Sequence, residues 1–261
     1  MVTFEPSVLA YYSQGNEDAR LREGEGRLEF WRTQDVLRRA LPAKPARILD
    51  VGGGSGVHAE WLVADGHDVE VVDPVPLHVE QAAQVGGVTA RLGDARELPY
   101  GDGEWDVVLL LGPLYHLPHR ADRIRALSEA RRVARPGALV AAAQISRYAG
   151  LHDLLRTGRY FEPGRPERTA QVLKTGHLPA GGLFTDAYFH DPAEIADEFA
   201  DAGLHDAVPH GLEGAAWLMG ETGAYLDDPE RRQRLLDALR SVETAPSVLG
   251  ASGHILTTAH A

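Results

Sequence analysis

The chain reads as an α/β protein built on a doubly wound, mostly parallel sheet. Three observations predict this. From Ala46 to Ser146, short apolar runs alternate with helical stretches, as in consecutive βαβ units. The first run passes through Asp50-Val51 into Gly52-Gly53-Gly54-Ser55-Gly56, four glycines in five positions, as where a buried strand turns sharply into a helix N-terminus. The run from Trp105 to Gly112, Trp-Asp-Val-Val-Leu-Leu-Leu-Gly, is apolar but for Asp106, as suits a strand covered on both faces.

Composition sets the bounds. The 261 residues are 44% hydrophobic and 25% charged, ordinary for a globular chain and enough for one large domain with an inserted cap. There is no cysteine, so disulfides and thiolate chemistry are excluded. No apolar run is long enough to span a membrane, and Glu5 and Pro6 stand where a signal peptide would be apolar. A cytoplasmic location without membrane attachment is the expectation. The formal charge of −12 argues against nucleic acid as a partner.

In chain order, Leu28 to Leu41 carries helical spacing and ends before Pro42 and Pro45. Residues 1–45 are expected to form an N-terminal helical lid. Strand one is Ala46–Val51, and a helix follows from Ser55 to Ala64, closed by Gly66. Strand two is Asp68–Asp73, followed by Pro74 and a helix to Gln84. Strand three is Thr89–Gly93, and strand four fills Trp105–Gly112. A helix at Ala121–Ala134 leads through Pro136-Gly137 into strand five, Ala138–Ser146. Residues 147–188 break the alternation and are dense in aromatics and histidines, as a functional cap insertion would be. Residues 189–261 resume with a helix at Asp191–Ala202, strand six at Ala207–Leu212, a helix at Pro229–Thr244 and a closing strand at His254–Ala259.

The glycine turn admits two readings. A dinucleotide site wants G-x-G-x-x-G with a pyrophosphate on the helix N-terminus. Here the third glycine comes one position early, and Asp50 would meet that pyrophosphate with negative charge. A carboxylate ahead of the glycines suits a ligand with a cationic amine, such as S-adenosylmethionine (SAM). Asp73 follows about 20 residues after the turn, the spacing at which an acid bonds ribose hydroxyls; it could also cap the next helix.

The stretch Asp50–Gly56, with Asp73, Asp94 and Leu114-Tyr115-His116-Leu117 after it in order, resembles the class I SAM-dependent methyltransferases of the small-molecule type. The likeness covers Ala46 to Ser146 well and the C-terminal strands loosely. It implies a Rossmann-like seven-stranded sheet with an antiparallel last strand, and a SAM-binding core over residues 46–146. It implies that Asp50, Gly52, Gly53, Gly54, Asp73, Pro74 and Leu111 line the cofactor, that Asp94 and Ala95 meet the adenine, and that Leu98 and Pro99 cover the ring. An arginine and a tyrosine of the lid would hold the cofactor carboxylate, with Arg32 and Tyr12 first and Arg27 and Tyr11 behind them.

The acceptor would be a small molecule, methylated on oxygen or nitrogen. Leu111-Gly112-Pro113-Leu114 lacks the polar residue that begins the Asn/Asp-Pro-Pro-Tyr/Phe site of nucleic-acid amino methyltransferases, which argues against a flipped base. Catalysis is then mostly positioning. His116 and Tyr115, at the carboxyl end of strand four, are the catalytic candidates, with His116 as general base. His152, Tyr160 and Phe161 of the cap are the substrate candidates. No metal-ligand set stands near strand four, and there is no nucleophile elbow or P-loop. The alternatives are a nicotinamide-dinucleotide oxidoreductase, resting on the glycine turn and Asp73, and a SAM-binding protein without methyl transfer.

Overall fold

The computed structural model describes residues 21–24, 26–181, 184–220 and 222–261. Tyr11 and Tyr12, with the rest of residues 1–20 of the expected lid, lie outside the described residues. Of the segment expected to form a lid, the helix Gly26–Ala40 lies within them.

Seven strands form the main sheet in the order β3-β2-β1-β4-β5-β9-β8. They are β1 (Arg47–Val51), β2 (Asp68–Asp73), β3 (Val88–Leu92), β4 (Trp105–Leu110), β5 (Ala134–Ile145), β8 (Val208–Gly211) and β9 (His254–His260). β1 pairs in parallel with both β2 and β4, so the chain winds outward in opposite directions from the β1/β4 seam. A ligand crevice opens at such a seam, beyond the carboxyl ends of the strands. The last strand, β9, runs antiparallel between β5 and β8, as expected.

Period-two alternation sorts the strand residues into two cores. Leu49, Val51, Val108, Leu110, Val140 and Ala142 face the helices Arg120–Val133 and Ile195–Asp201. Ile48, Val107, Leu109, Leu139 and Ala141 face the helices Gly26–Ala40 and Val57–Ala64. The inner strands are almost wholly buried, which accounts for the unbroken apolar run at Val107–Leu111. Each such leucine contributes about 1.5–3 kcal/mol by leaving water.

Some boundaries move. The helix Arg120–Val133 passes directly into β5, which starts at Ala134, four residues earlier than expected. Ala134 already pairs with Trp105, and the register slips between Trp105 and Val107, where Arg135, Pro136 and Gly137 interrupt the ladder. The helix after the glycine turn begins at Val57, because Gly54 and Gly56 both hold positive φ.

Residues 147–188 fold into the helices Ala149–Arg156 and Arg165–Thr175, joined by a 3₁₀ turn at Arg159–Phe161. A two-stranded ribbon follows, β6 (His177–Leu178) with β7 (Ala187–Tyr188). This segment packs on the loop after β4: Tyr115 shares an apolar cluster with Ile145, Val172, Ala187 and Phe189.

Candidate active site

A pocket of about 1000 Å³, counting its mouth, occupies the β1/β4 crevice. Its walls are the glycine turn, the ends of β2 and β3, and the segment Leu111–Leu117. Of the predicted cofactor residues of the core, Asp50, Gly52, Gly53, Gly54, Asp73, Pro74, Asp94, Ala95 and Leu111 line it.

Glycine is required in the turn for two separate reasons. Gly52 sits at φ +69°, and a Cβ there would stand 2.7 Å from Pro113 Cγ. At Gly53 a Cβ would meet the carboxylate of Asp50 at 2.6 Å. The turn therefore lies against the segment after β4 on one side and on Asp50 on the other.

Asp50 is fully buried at the end of β1, and neither carboxylate oxygen has a hydrogen-bond partner among the described residues. Burial, and secondarily the charge of Asp73, push its pKa up to about 7. An unpartnered buried carboxylate is costly unless a cation or donor comes to it. It lines the pocket, so a ligand's ammonium group would satisfy it. This is the observation by which the site fits SAM, whose methionine end carries such a group.

Asp73 is also buried and lines the pocket, but it is already bonded. Its carboxylate accepts the backbone N–H of Gly54 at 3.0 Å and of Val75 at 2.9 Å, and it pairs with His78 Nδ1 at 3.1 Å. The two readings of this residue are thus compatible. It locks the glycine turn and the start of the helix Pro76–Ala82 together while lining the pocket.

Asp94 accepts from Arg96 Nη2 at 2.8 Å, from Arg96 Nε at 3.1 Å and from the Arg96 N–H at 2.8 Å. That clamp fixes the carboxylate at the pocket wall. Leu98, expected as ring cover, instead belongs to the core beneath, and neither it nor Pro99 reaches the pocket. Pro74, Val75 and Leu117 supply the apolar lining there.

Tyr115 and His116 stand on a 3₁₀ turn, Leu114–His116, immediately past β4, and both line the pocket. Their rings lie 4.6 Å apart. His116 Nδ1 is 3.1 Å from Thr185 Oγ1, and Phe184 stacks on the imidazole at 5.6 Å. Burial lowers the His116 pKa to about 3, so the ring is neutral at working pH.

Other candidates are placed elsewhere. Arg32 is fully buried away from the pocket. It ion-pairs with Glu243 at 2.5 Å and with Asp35, and donates to the Leu212 carbonyl at 2.9 Å. It ties the helix Gly26–Ala40 to the loop after β8, and its burial away from the pocket keeps it from a cofactor there. Arg27 pairs with Asp227 at 2.8 Å. Tyr12 lies outside the described residues.

The three cap candidates also miss the pocket. Phe161 is 79% exposed, and Tyr160 packs edge-on against it at 5.7 Å. His152 faces Trp217 at 6.3 Å. The 3₁₀ turn Arg159–Phe161 leaves the Phe161 ring exposed, whereas Phe189 is buried and Phe184 partly buried in the cluster with Tyr115.

Sequence reasoning passed over Glu29 and His58, which line the pocket from the helices Gly26–Ala40 and Val57–Ala64. It also passed over Glu213, which gathers with Glu29 and His254 so that their ligand-type atoms lie within 4.8 Å of one another. Glu213 is already satisfied by His254 Nδ1 at 2.6 Å, by Ser252 Oγ at 2.8 Å and by the His254 N–H at 2.9 Å. The trio therefore works as a buttress between β9 and the helix Gly26–Ala40. No local signal marks these residues, because they meet only through tertiary packing.

Residues 49–142 match the family profile described as a methyltransferase domain. An uncharacterized methyltransferase of Mycobacterium tuberculosis is 42% identical over 99 residues, covering 37% of this chain and 39% of the relative. The 27-O-demethylrifamycin SV methyltransferase of Amycolatopsis mediterranei is 37% identical over 136 residues, 48% of this chain and 47% of the relative. The chain thus spans less than half the length of these two relatives. Among solved structures, a putative methyltransferase of Haloferax volcanii, seen with its Trm112 activator, superposes with a TM-score of 0.61 at 20% identity over 100% of this chain and 99% of its own. A SAM-dependent methyltransferase of Thermotoga maritima does so at 0.57 and 19% identity, over 96% and 97%. At these identities the superpositions speak for the fold.

Proposed function

We propose that this chain, which carries a class I SAM-dependent methyltransferase domain, moves a methyl group from SAM to an oxygen of a small molecule, with nitrogen as the alternative acceptor. The observation that carries the reading is Asp50, a buried carboxylate without a partner at the wall of a glycine-lined pocket. The same residue argues against a nicotinamide dinucleotide, whose pyrophosphate it would repel.

SAM supplies a methyl carbon already activated by its sulfonium. Asp50 would hold the methionine ammonium, and the backbone of Gly52–Gly54 would let that end lie close. Asp73 would accept from the ribose hydroxyls. Asp94 and the Ala95 N–H would meet the adenine, while Pro74 and Leu111 cover it. The protein's contribution is mainly orientation and exclusion of water.

Tyr115 and His116 would face the acceptor. A neutral imidazole of low basicity takes little proton from a resting hydroxyl. As the new carbon–oxygen bond forms, that oxygen becomes strongly acidic, and even a weak base then accepts its proton. His116 is therefore proposed to position the hydroxyl first and to receive its proton late. O-methyltransferase relatives support oxygen as the acceptor atom.

Titration calorimetry with S-adenosylhomocysteine (SAH) tests the cofactor half of this reading. Transfer of labelled methyl from SAM to a panel of phenols, alcohols and amines tests the other half. Failure of the wild-type chain to bind either SAM or SAH would discard the proposal.

A further inference from the structure

Residues 147–188 enclose part of a second cavity, of about 750 Å³ with its mouth. Val172 and Phe189 form its floor and are buried. Leu151 and Leu154 enter from the helix Ala149–Arg156, which has no buried residue although its apolar positions gather on one face. Leu151 and Leu154 are only partly buried, so among the described residues part of that face is left to water across the cavity. An apolar occupant would relieve this.

The rim is cationic. Arg147, Arg165 and Arg168 line it, with Asp153 as its one acidic residue. Arg147 is held by Glu194 at 2.9 Å, Arg165 by Glu162 at 3.1 Å, and Asp153 by Arg156 at 2.7 Å. Arg168 donates only to the Pro179 carbonyl, at 2.7 Å, and has no carboxylate partner among the described residues. It stands one turn from Val172 on the helix Arg165–Thr175, so its charge overhangs the apolar floor. A planar guanidinium with unused donors suits a carboxylate.

The two cavities share a wall. Phe184 lines the second one and stacks on His116, which lines the first. A molecule in the cap is therefore separated from the catalytic candidate by one aromatic ring.

We infer that the cap cavity binds a small apolar carboxylate and that this is how the non-reacting end of the acceptor is recognised. The apolar body lies on Leu151, Leu154 and Val172, and the carboxylate pairs with Arg168. The inference rests on the proposed methyl transfer for its role but not for its ligand chemistry.

The probe is 1-naphthoate, titrated calorimetrically into the full chain with and without saturating SAH, beside neutral 1-naphthalenemethanol. The wild type should bind naphthoate at least tenfold more tightly than the alcohol. Arg168→Glu should weaken naphthoate at least tenfold, Arg168→Gln by less, and neither should change the alcohol. Leu154→Trp, which fills the cavity, should abolish binding of both. SAH affinity and melting temperature should stay near wild type in the Arg168 variants, showing that the fold is kept. No naphthoate binding by the wild type, or equal binding by wild type and Arg168→Glu, overturns the inference. Loss of SAH binding by the wild type would instead sink the methyltransferase reading, leaving the naphthoate titrations to judge the cavity.

Discussion

Gly53 and Asp50 are so close that a Cβ on the first would lie 2.6 Å from a carboxylate oxygen of the second. Gly53→Ala would therefore push the Asp50 side chain, since the Val71 methyl at 3.1 Å blocks retreat the other way. Overpacking of this kind costs about 1–3 kcal/mol. We expect a lower melting temperature and SAH binding weakened at least tenfold. Unchanged SAH affinity would show that Asp50 does not hold the ligand.

The raised pKa of Asp50 gives a pH signature of definite sign. Its value in the folded protein, about 7, exceeds the ordinary 3.8. The folded state thus binds this proton more tightly than the unfolded chain. The contribution is complete below pH 3.8 and is lost as pH rises through 7, at up to about 1.4 kcal/mol per pH unit. Asp50→Asn should remove that slope from chemical denaturation curves of the free protein. SAM binding should run the opposite way, because an ammonium group prefers the ionised carboxylate. Affinity should rise between pH 6 and 8 in the wild type and stay flat in Asp50→Asn.

The alternation of strands and helices was legible because the inner strands are buried on both faces and leave unbroken apolar runs, Val107–Leu111 above all. The glycine turn was legible because only glycine accepts its positive φ and its close contact with Pro113. Arg32 was misread for a physical reason: its partner Glu243 lies 211 residues away, and no local pattern reports a pair closed by tertiary packing. The same holds for the cap, where composition announced aromatics but not which of them turn inward. Phe189, next after β7, is buried and Phe184 partly so, while Phe161, on the 3₁₀ turn, is exposed.

Asp73 joins the glycine turn to the next helix and offers charge to the pocket. Asp73→Asn keeps the shape but removes the charge-assisted bonds from Gly54 and Val75. Such bonds contribute about 1.5–3 kcal/mol. SAH affinity should fall by roughly 10- to 150-fold by calorimetry. If Asp73 acts only as a structural cap, melting temperature would fall while SAH affinity at saturating folded protein stayed within a few-fold of wild type.

His116 supplies the last prediction. Its pKa in the folded protein, about 3, lies below the ordinary 6.5 because burial disfavours the imidazolium. The unfolded chain therefore takes up this proton first. The stability it contributes is present above pH 6.5 and is lost as pH falls toward 3, opposite in sign to Asp50. His116→Gln should flatten the acid limb of stability between pH 6.5 and 4 by up to about 1.4 kcal/mol per pH unit. In catalysis, a ring that is neutral throughout this range imposes no protonation step near pH 6.5. The wild-type pH–rate profile should lack a limb there, and His116→Gln should lower kcat without creating or shifting one. A wild-type limb near pH 6.5 that vanished in His116→Gln would mean that the ring titrates in the working enzyme, with the Phe184 and Thr185 contacts opened to water.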